Sequence, residues 1–173
     1  ARKEDDVSKL KKLGFDALLL DLASSNSINT AIYEIYQKTD SLYALINNGA
    51  YGQAGALEDI SRKALEKQFQ VNVFGWHELT NLVLPSMKER NIGRVVYISS
   101  VLGFVAMPFR GPYVASKFAI EGLVDTLRLE LKQTKIKLSL VQPGPIESKF
   151  RQNAFLAFKE NVDSSNSDYQ REY

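Results

Sequence analysis

A tyrosine and a lysine stand four residues apart, Tyr113 and Lys117, in the stretch GPYVASKFAIEGLVDTLRLEL (111–131). On a helix that spacing is about one turn, so both polar heads reach into the same space. A free phenol, with a pKa near ~10, is a poor acid–base group at neutral pH. A neighbouring ammonium favours the phenolate and should lower that pKa, which would suit the pair to proton transfer at an oxygen. An isolated pair of this kind is more often a tyrosine packed over a lysine stem, so other residues must converge on it before the chemistry counts. Around the pair, Phe118, Ala119, Leu123, Val124, Leu127 and Leu131 recur at helical steps and predict one buried stripe, with Arg128, Glu130 and Lys132 facing water.

The elements that would position the pair follow from the hydrophobic pattern. Four short apolar runs predict strands: ALLLD (17–21), YALIN (43–47), RVVYIS (94–99) and IKLSLV (136–141). They are continuous rather than alternating, as in strands covered on both faces. Ile28, Ala31, Ile32, Ile35 and Tyr36 form one helical stripe, with Ser27 or a neighbouring serine as its cap. Leu65, Phe69, Val73, Trp76, Leu79, Leu82 and Val83 mark a longer helix over about 61–90, with Gly75 inside it. Alternation of strand and helix predicts a parallel α/β sheet with right-handed crossovers. Such sheets bind ligands beyond the carboxyl ends of their strands. Those ends read DLASS (21–25), NNGAYGQAG (47–55), SSVLG (99–103) and PGPIES (143–148), small and polar residues that a tight turn also needs. All four turns would share one rim with Tyr113 and Lys117. The polar tail from about 161 reads as a loop or frayed end.

Composition narrows the chemistry further. The 173 residues suffice for one domain with a sizeable core, and 45% hydrophobic and 24% charged residues are ordinary for a soluble globular chain. The net charge of +2 comes from scattered side chains, so no nucleic-acid footprint stands out. Cysteine is absent, which removes disulfides and thiolates and fits a reducing cytoplasm. His77 is the only histidine; that argues against a His-rich metal site and a Ser-His-Asp triad, and places it as a polar residue on a helix flank. The longest apolar neighbourhood, 95–109, is broken by Ser99, Ser100 and Pro108 and is too short for a membrane span. No signal peptide is visible.

Further residues fall at meaningful intervals. Ser100 precedes Tyr113 by thirteen positions, whereas Ser99 is one residue too far and better suits the strand end. Asn72 lies in QVNVFG on the long helix, Pro143, Gly144, Ile146 and Ser148 fall in PGPIES, and Asp21 and Leu22 follow the first apolar run. Together this ordered set resembles the short-chain dehydrogenase/reductase family, over nearly the whole chain up to about Phe150. The stretch from GRVVYISS to the Tyr113 helix looks closest to the aldehyde/ketone, retinol and hydroxysteroid reductases. The resemblance implies a single, Rossmann-like, doubly wound dinucleotide-binding domain over 1–173, truncated at both ends. It also implies an oxidoreductase moving a hydride between a nicotinamide and an apolar alcohol or carbonyl. Tyr113 would be the general acid/base, Lys117 its activator and a holder of the nicotinamide ribose, Ser100 the donor to the substrate oxygen, and Asn72 the residue ordering a proton relay. Asp21, Leu22, Asn48 and Gly49 would meet the adenosine, and Pro143, Gly144, Ile146 and Ser148 the rest of the cofactor. Arg2, with Lys3, would meet a 2′-phosphate, favouring NADP(H) over NAD(H).

The same resemblance implies a homodimer or homotetramer through the long helix and the Tyr113 helix, with Phe74, Trp76, Ile120 and Leu129 as surplus apolar positions. It places a substrate lid at 150–161, where Phe155, Leu156 and Phe158 would cover an apolar substrate. The chain departs from the family pattern twice. The Asn-Asn-Ala-Gly turn reads Asn47-Asn48-Gly49-Ala50, an exchange that small side chains tolerate. No Gly-x-x-x-Gly-x-Gly occurs, and ARKEDDVSKLKKLG resembles the segment that follows the family's second strand. The expectation is therefore a domain without its opening strand–turn–helix of roughly 30 residues. Those missing strands would leave 17–21 and 43–47 apart by three strand spacings, roughly 14 Å. A non-catalytic binding protein on a degenerate dehydrogenase fold is the alternative that this gap raises.

Overall fold

The computed structural model describes the chain from Ala1 to Tyr173. Three of the apolar runs form a parallel sheet: β1 (Ala44–Asn47), β2 (Gly93–Ile98) and β3 (Ile136–Val141), in that spatial order. Leu45 lies beside Val95, and Val95 beside Leu138, so one face of the sheet carries these apolar residues in register. Helix α1 (Glu4–Lys12) opens the chain with acidic residues in its first turn and lysines in its last, each suited to the helix dipole. Helix α2 (Ser25–Tyr36) is capped by Ser24, whose hydroxyl accepts from the Ser27 amide.

The long predicted helix forms as one run, with a change of hydrogen-bond pattern inside it. It consists of α3 (Arg62–Phe69), a wide π turn over Gln70–Phe74, and α4 (Gly75–Glu89). An extra residue in such a turn re-aims the side chains it carries, and these turns concentrate at functional sites. This one carries Asn72. At the junction, a Cβ on Gly75 would overlap the Leu22 carbonyl. The glycine is what lets the 17–22 segment lie against α4.

Helix α5 (Gly111–Glu130) carries Pro112 in its first turn, where a missing amide costs nothing. Its buried stripe is Tyr113, Ser116, Lys117, Ile120 and Val124, continued by Leu131. The predicted stripe is displaced: Phe118 and Leu123 face outward, because the sheet-facing side is the side that carries the tyrosine and lysine. Trp76, Val83, Met87, Val95, Ile120 and Val124 form the centre of the core, where α4 and α5 meet the sheet. Burying side chains of this size stabilises the fold by roughly 1.5–3 kcal/mol each.

Three expectations are corrected. Residues 17–21 are extended but do not join the sheet; their only ladder-like bonds run to Ala1, whose ammonium donates to Leu18 O (2.8 Å) and whose carbonyl accepts from the Leu20 amide (2.9 Å). A strand needs a neighbour along its length, and here the neighbour is one residue. The sheet is also covered unevenly, since Arg94, Lys137, Ser139 and Ile46 are exposed on the face away from α4 and α5. Finally, the tail is docked rather than frayed. Val162 is buried, Tyr169 and Tyr173 pack edge-on against Phe109 (5.6 and 5.9 Å), and the Tyr173 hydroxyl accepts from the Ala56 amide and donates to Asp59. Aromatic contacts supply what the polar composition concealed.

Candidate active site

Tyr113 sits in the first turn of α5, nine-tenths buried, and Lys117 lies one turn further in, almost wholly buried. The lysine's direction was not expected. Its Nζ donates to Ile98 O at the end of β2 (2.8 Å) and stands 4.3 Å from the Trp76 ring centre, against 5.5 Å from the Tyr113 ring. Burial pulls the lysine down to about 7, while the Glu121 carboxylate works weakly against that fall. Burial pushes the Tyr113 phenol above its usual value, and the facing Ser100 hydroxyl works in the opposite direction. The expected lowering of the phenol by the lysine is thus reversed in the free protein. The lysine charge is itself destabilised by burial and is directed at Ile98 O and Trp76.

Ser100 lies two residues beyond β2 and caps the short turn Val101–Gly103 by accepting from the Leu102 amide (3.1 Å). The Val101 amide donates to Pro143 O (3.1 Å), which ties the serine turn to the Pro143–Gly144 turn after β3. Asn72 is fully buried. Its amide group donates to Tyr51 O (2.9 Å) and Ser116 Oγ (3.2 Å), and its Oδ1 accepts from the Tyr51 amide (3.2 Å). Asn72 therefore clamps the turn after β1 to α5.

The remaining predicted residues line the rim at the strand ends. Asp21 accepts from the Ala23 amide (3.0 Å), and Leu22 packs over Gly49, where an added Cβ would press on its methyl. Asn48 and Gly49 are exposed just beyond β1, and Gly49 O accepts from Trp76 Nε1 (2.8 Å). Arg2 is exposed and follows Ala1, which bonds to Leu18 and Leu20. Pro143 is half-buried; Gly144, Ile146 and Ser148 are exposed, and the Ser148 hydroxyl accepts from the Phe150 amide (3.3 Å). The open, small-residue turn after β1, with the Asp21 carboxylate and Leu22 beside Gly49, leaves room for a dinucleotide of the kind this fold holds.

Several residues escaped the sequence reading. Trp76 is not an interface position: it is buried, with its ring beneath Lys117 and its indole N–H on Gly49 O. Ile120 is likewise core, whereas Phe74 and Leu129 are exposed. Phe150, the first residue of α6 (Phe150–Asn161), packs edge-on against Tyr113 at 5.3 Å, and both rings lie over Gly52, where a Cβ would meet Phe150 at 3.1 Å. The glycines of NNGAYGQAG were the available signal for that close approach. Phe158 packs on Tyr173 (4.7 Å), while Phe155 and Leu156 are exposed. His77 is exposed and bonded to Asn81. No helix is long and apolar enough to cross a membrane.

This geometry can be set beside known proteins. The family model described as short chain dehydrogenase matches residues 1–157. The uncharacterized oxidoreductase YbbO of Escherichia coli strain K12 is 45% identical over 153 residues, 88% of this chain and 57% of that protein. Human retinol dehydrogenase 8 is 40% identical over 131 residues, 76% of this chain and 41% of that protein. The crystal structure of a short-chain dehydrogenase from Streptomyces avermitilis superimposes with a TM-score of 0.80 at 30% identity, covering 85% of this chain and 56% of that one. The chain spans about half the length of the curated relatives it matches. With its parallel sheet and the Asn72, Ser100, Tyr113 and Lys117 set gathered at one end, the chain belongs to the short-chain dehydrogenase family.

Proposed function

We propose that the protein is an NADP(H)-dependent oxidoreductase that interconverts an apolar carbonyl compound and its alcohol. The observation that carries this reading is the buried Lys117, one turn beyond the buried Tyr113 on α5 and bonded to Ile98 O, two residues before the buried Ser100. A bound nicotinamide would supply the hydride. Ser100 would donate to the substrate oxygen and stabilise charge as it builds there. Tyr113, held protonated by its burial, would give its proton to that oxygen during reduction. Lys117 would hold the nicotinamide ribose with the ammonium donors that its single bond to Ile98 O leaves over. Asn72 holds the turn that faces the substrate, and its relay role in the family is carried over as part of this reading. Arg2 would favour a 2′-phosphate. Phe150, Phe155 and Leu156 on α6 would cover an apolar substrate, a class consistent with the retinol named for the human relative.

The test uses protein expressed from its complete reading frame, incubated with NADPH or NADH and a panel of medium-chain aldehydes, retinal and ketosteroids. NADPH oxidation that depends on the carbonyl compound is the expected result. A folded sample that binds neither dinucleotide and oxidises none overturns the reading in favour of a non-catalytic protein. Arg2→Glu should weaken NADPH binding and leave NADH binding unchanged; equal effects on both would remove the 2′-phosphate assignment.

A further inference from the structure

Four fully buried polar side chains, Gln53, Gln68, Asn72 and Ser116, form one continuous hydrogen-bonded chain. It starts at Tyr113, whose carbonyl accepts from Ser116 Oγ (2.7 Å), and Ser116 accepts from Asn72 Nδ2 (3.2 Å). The next link is Tyr51 O, which accepts from both Asn72 Nδ2 (2.9 Å) and Gln68 Nε2 (2.8 Å). Gln68 Oε1 then accepts from the Gln53 amide (2.7 Å). The chain ends on the last turn of α6: Gln53 Oε1 accepts from Asn161 Nδ2 (3.0 Å), and Gln53 Nε2 donates to Ala54 O (2.8 Å) and toward Ala157 O (3.4 Å). Nothing in the reaction outlined above uses Gln53 or Gln68.

We propose that Gln53 is a positioning residue that sets the register of α6 over the site, so that the placement of the substrate-covering helix and of the Asn72 turn is a single event. The proposal rests on α6 being the substrate lid of the function proposed above. Its physical basis is the cost of leaving a buried amide unpaired. Gln53 is fully enclosed, so α6 cannot slide without stranding Gln53 Oε1 away from water. The opposite end of α6 carries the second contact, Phe150 against Tyr113. The helix is thus fastened at its start by an aromatic contact, which carries no directed bond, and at its end by hydrogen bonds. The Lys67–Glu160 pair (3.5 Å) is solvent-exposed and adds little.

The test compares Gln53→Leu and the milder Asn161→Ala with the unaltered protein by hydrogen exchange and by kinetics. Amides of 153–162 should exchange at least about tenfold faster in both variants, while those of β2 and α5 keep their protection. With a carbonyl substrate, KM should rise about fivefold or more, and dinucleotide affinity should stay within about twofold. Unchanged exchange in α6 overturns the latch, as does a general loss of protection in Asn161→Ala. If the unaltered protein turns over no carbonyl compound, the function fails while the exchange measurement still decides whether Gln53 holds α6. Faster exchange in α6 with an unchanged KM would overturn the positioning role.

Discussion

The ammonium of Lys117 lies 4.3 Å from the centre of the Trp76 ring and donates to the Ile98 carbonyl, so the lysine links α4, α5 and the end of β2. Its depressed pKa, about 7, makes the free protein's stability depend on pH. Between about pH 7 and the unfolded value near 10.5 the unfolded chain binds the extra proton, so stability rises with pH across that window. Below that window the charged lysine costs at most a few kcal/mol, since each tenfold loss of proton affinity corresponds to about 1.4 kcal/mol. Lys117→Met should flatten the rise, measured as chemical-denaturation midpoints from pH 7 to 10. An unaltered slope would mean that the ammonium remains solvated.

Tyr113→Phe keeps the ring that packs on Phe150 and Gly52 and removes the proton. Turnover should fall about 10²–10⁴-fold, with dinucleotide affinity and melting temperature nearly unchanged. Retention of more than about a tenth of the rate would assign the proton to another group.

Ser100 opposes the burial-driven rise of the Tyr113 phenol. Ser100→Ala should therefore move the alkaline limb of the reduction profile upward and lower turnover by about 10²–10³-fold. A limb that stays in place, read from kcat against pH, would separate the serine from the phenol.

Two neighbouring aromatics on α6 should behave differently. Phe158→Ala removes the contact with Tyr173 and should destabilise the protein by about 1–2 kcal/mol, seen in urea midpoints. Phe155→Ala alters an exposed ring that is stacked on Phe158 and covered by Lys159, and should mainly raise KM for long substrates over short ones. Equal KM effects on both substrate lengths would place Phe155 outside the substrate path.

The π turn that leads into α4 exposes Phe74, and α5 exposes Phe118 and Leu129, which favour a two-fold dimer through these helices. Sedimentation at tens of micromolar should show a dimer that Leu129→Glu weakens. A strict monomer would remove the assignment.

Local chemistry made much of this protein legible from the chain alone. Apolar runs bounded by turn residues specified β1 to β3, because a buried parallel strand needs little beyond a short apolar run. The four-residue spacing of Tyr113 and Lys117 put both on one side of a helix, because that interval is about one turn, whereas Ser100 was picked out only by resemblance to a family. Residues 150–161 were read as one unit and form α6 over that same span. Partners distant in the chain decided the rest. The lysine's orientation depends on Trp76, forty-one positions earlier, and Asn72 is set by a π turn that no periodicity signals. Gln53 reads as an ordinary turn residue until Asn161 arrives, and the polar tail gains order from the Phe109 and Phe158 rings and from its bonds to Ala56 and Asp59. Residues 17–21 have the composition of a strand, but composition supplies no neighbour: pairing is a property of two segments, and only tertiary structure brings them together.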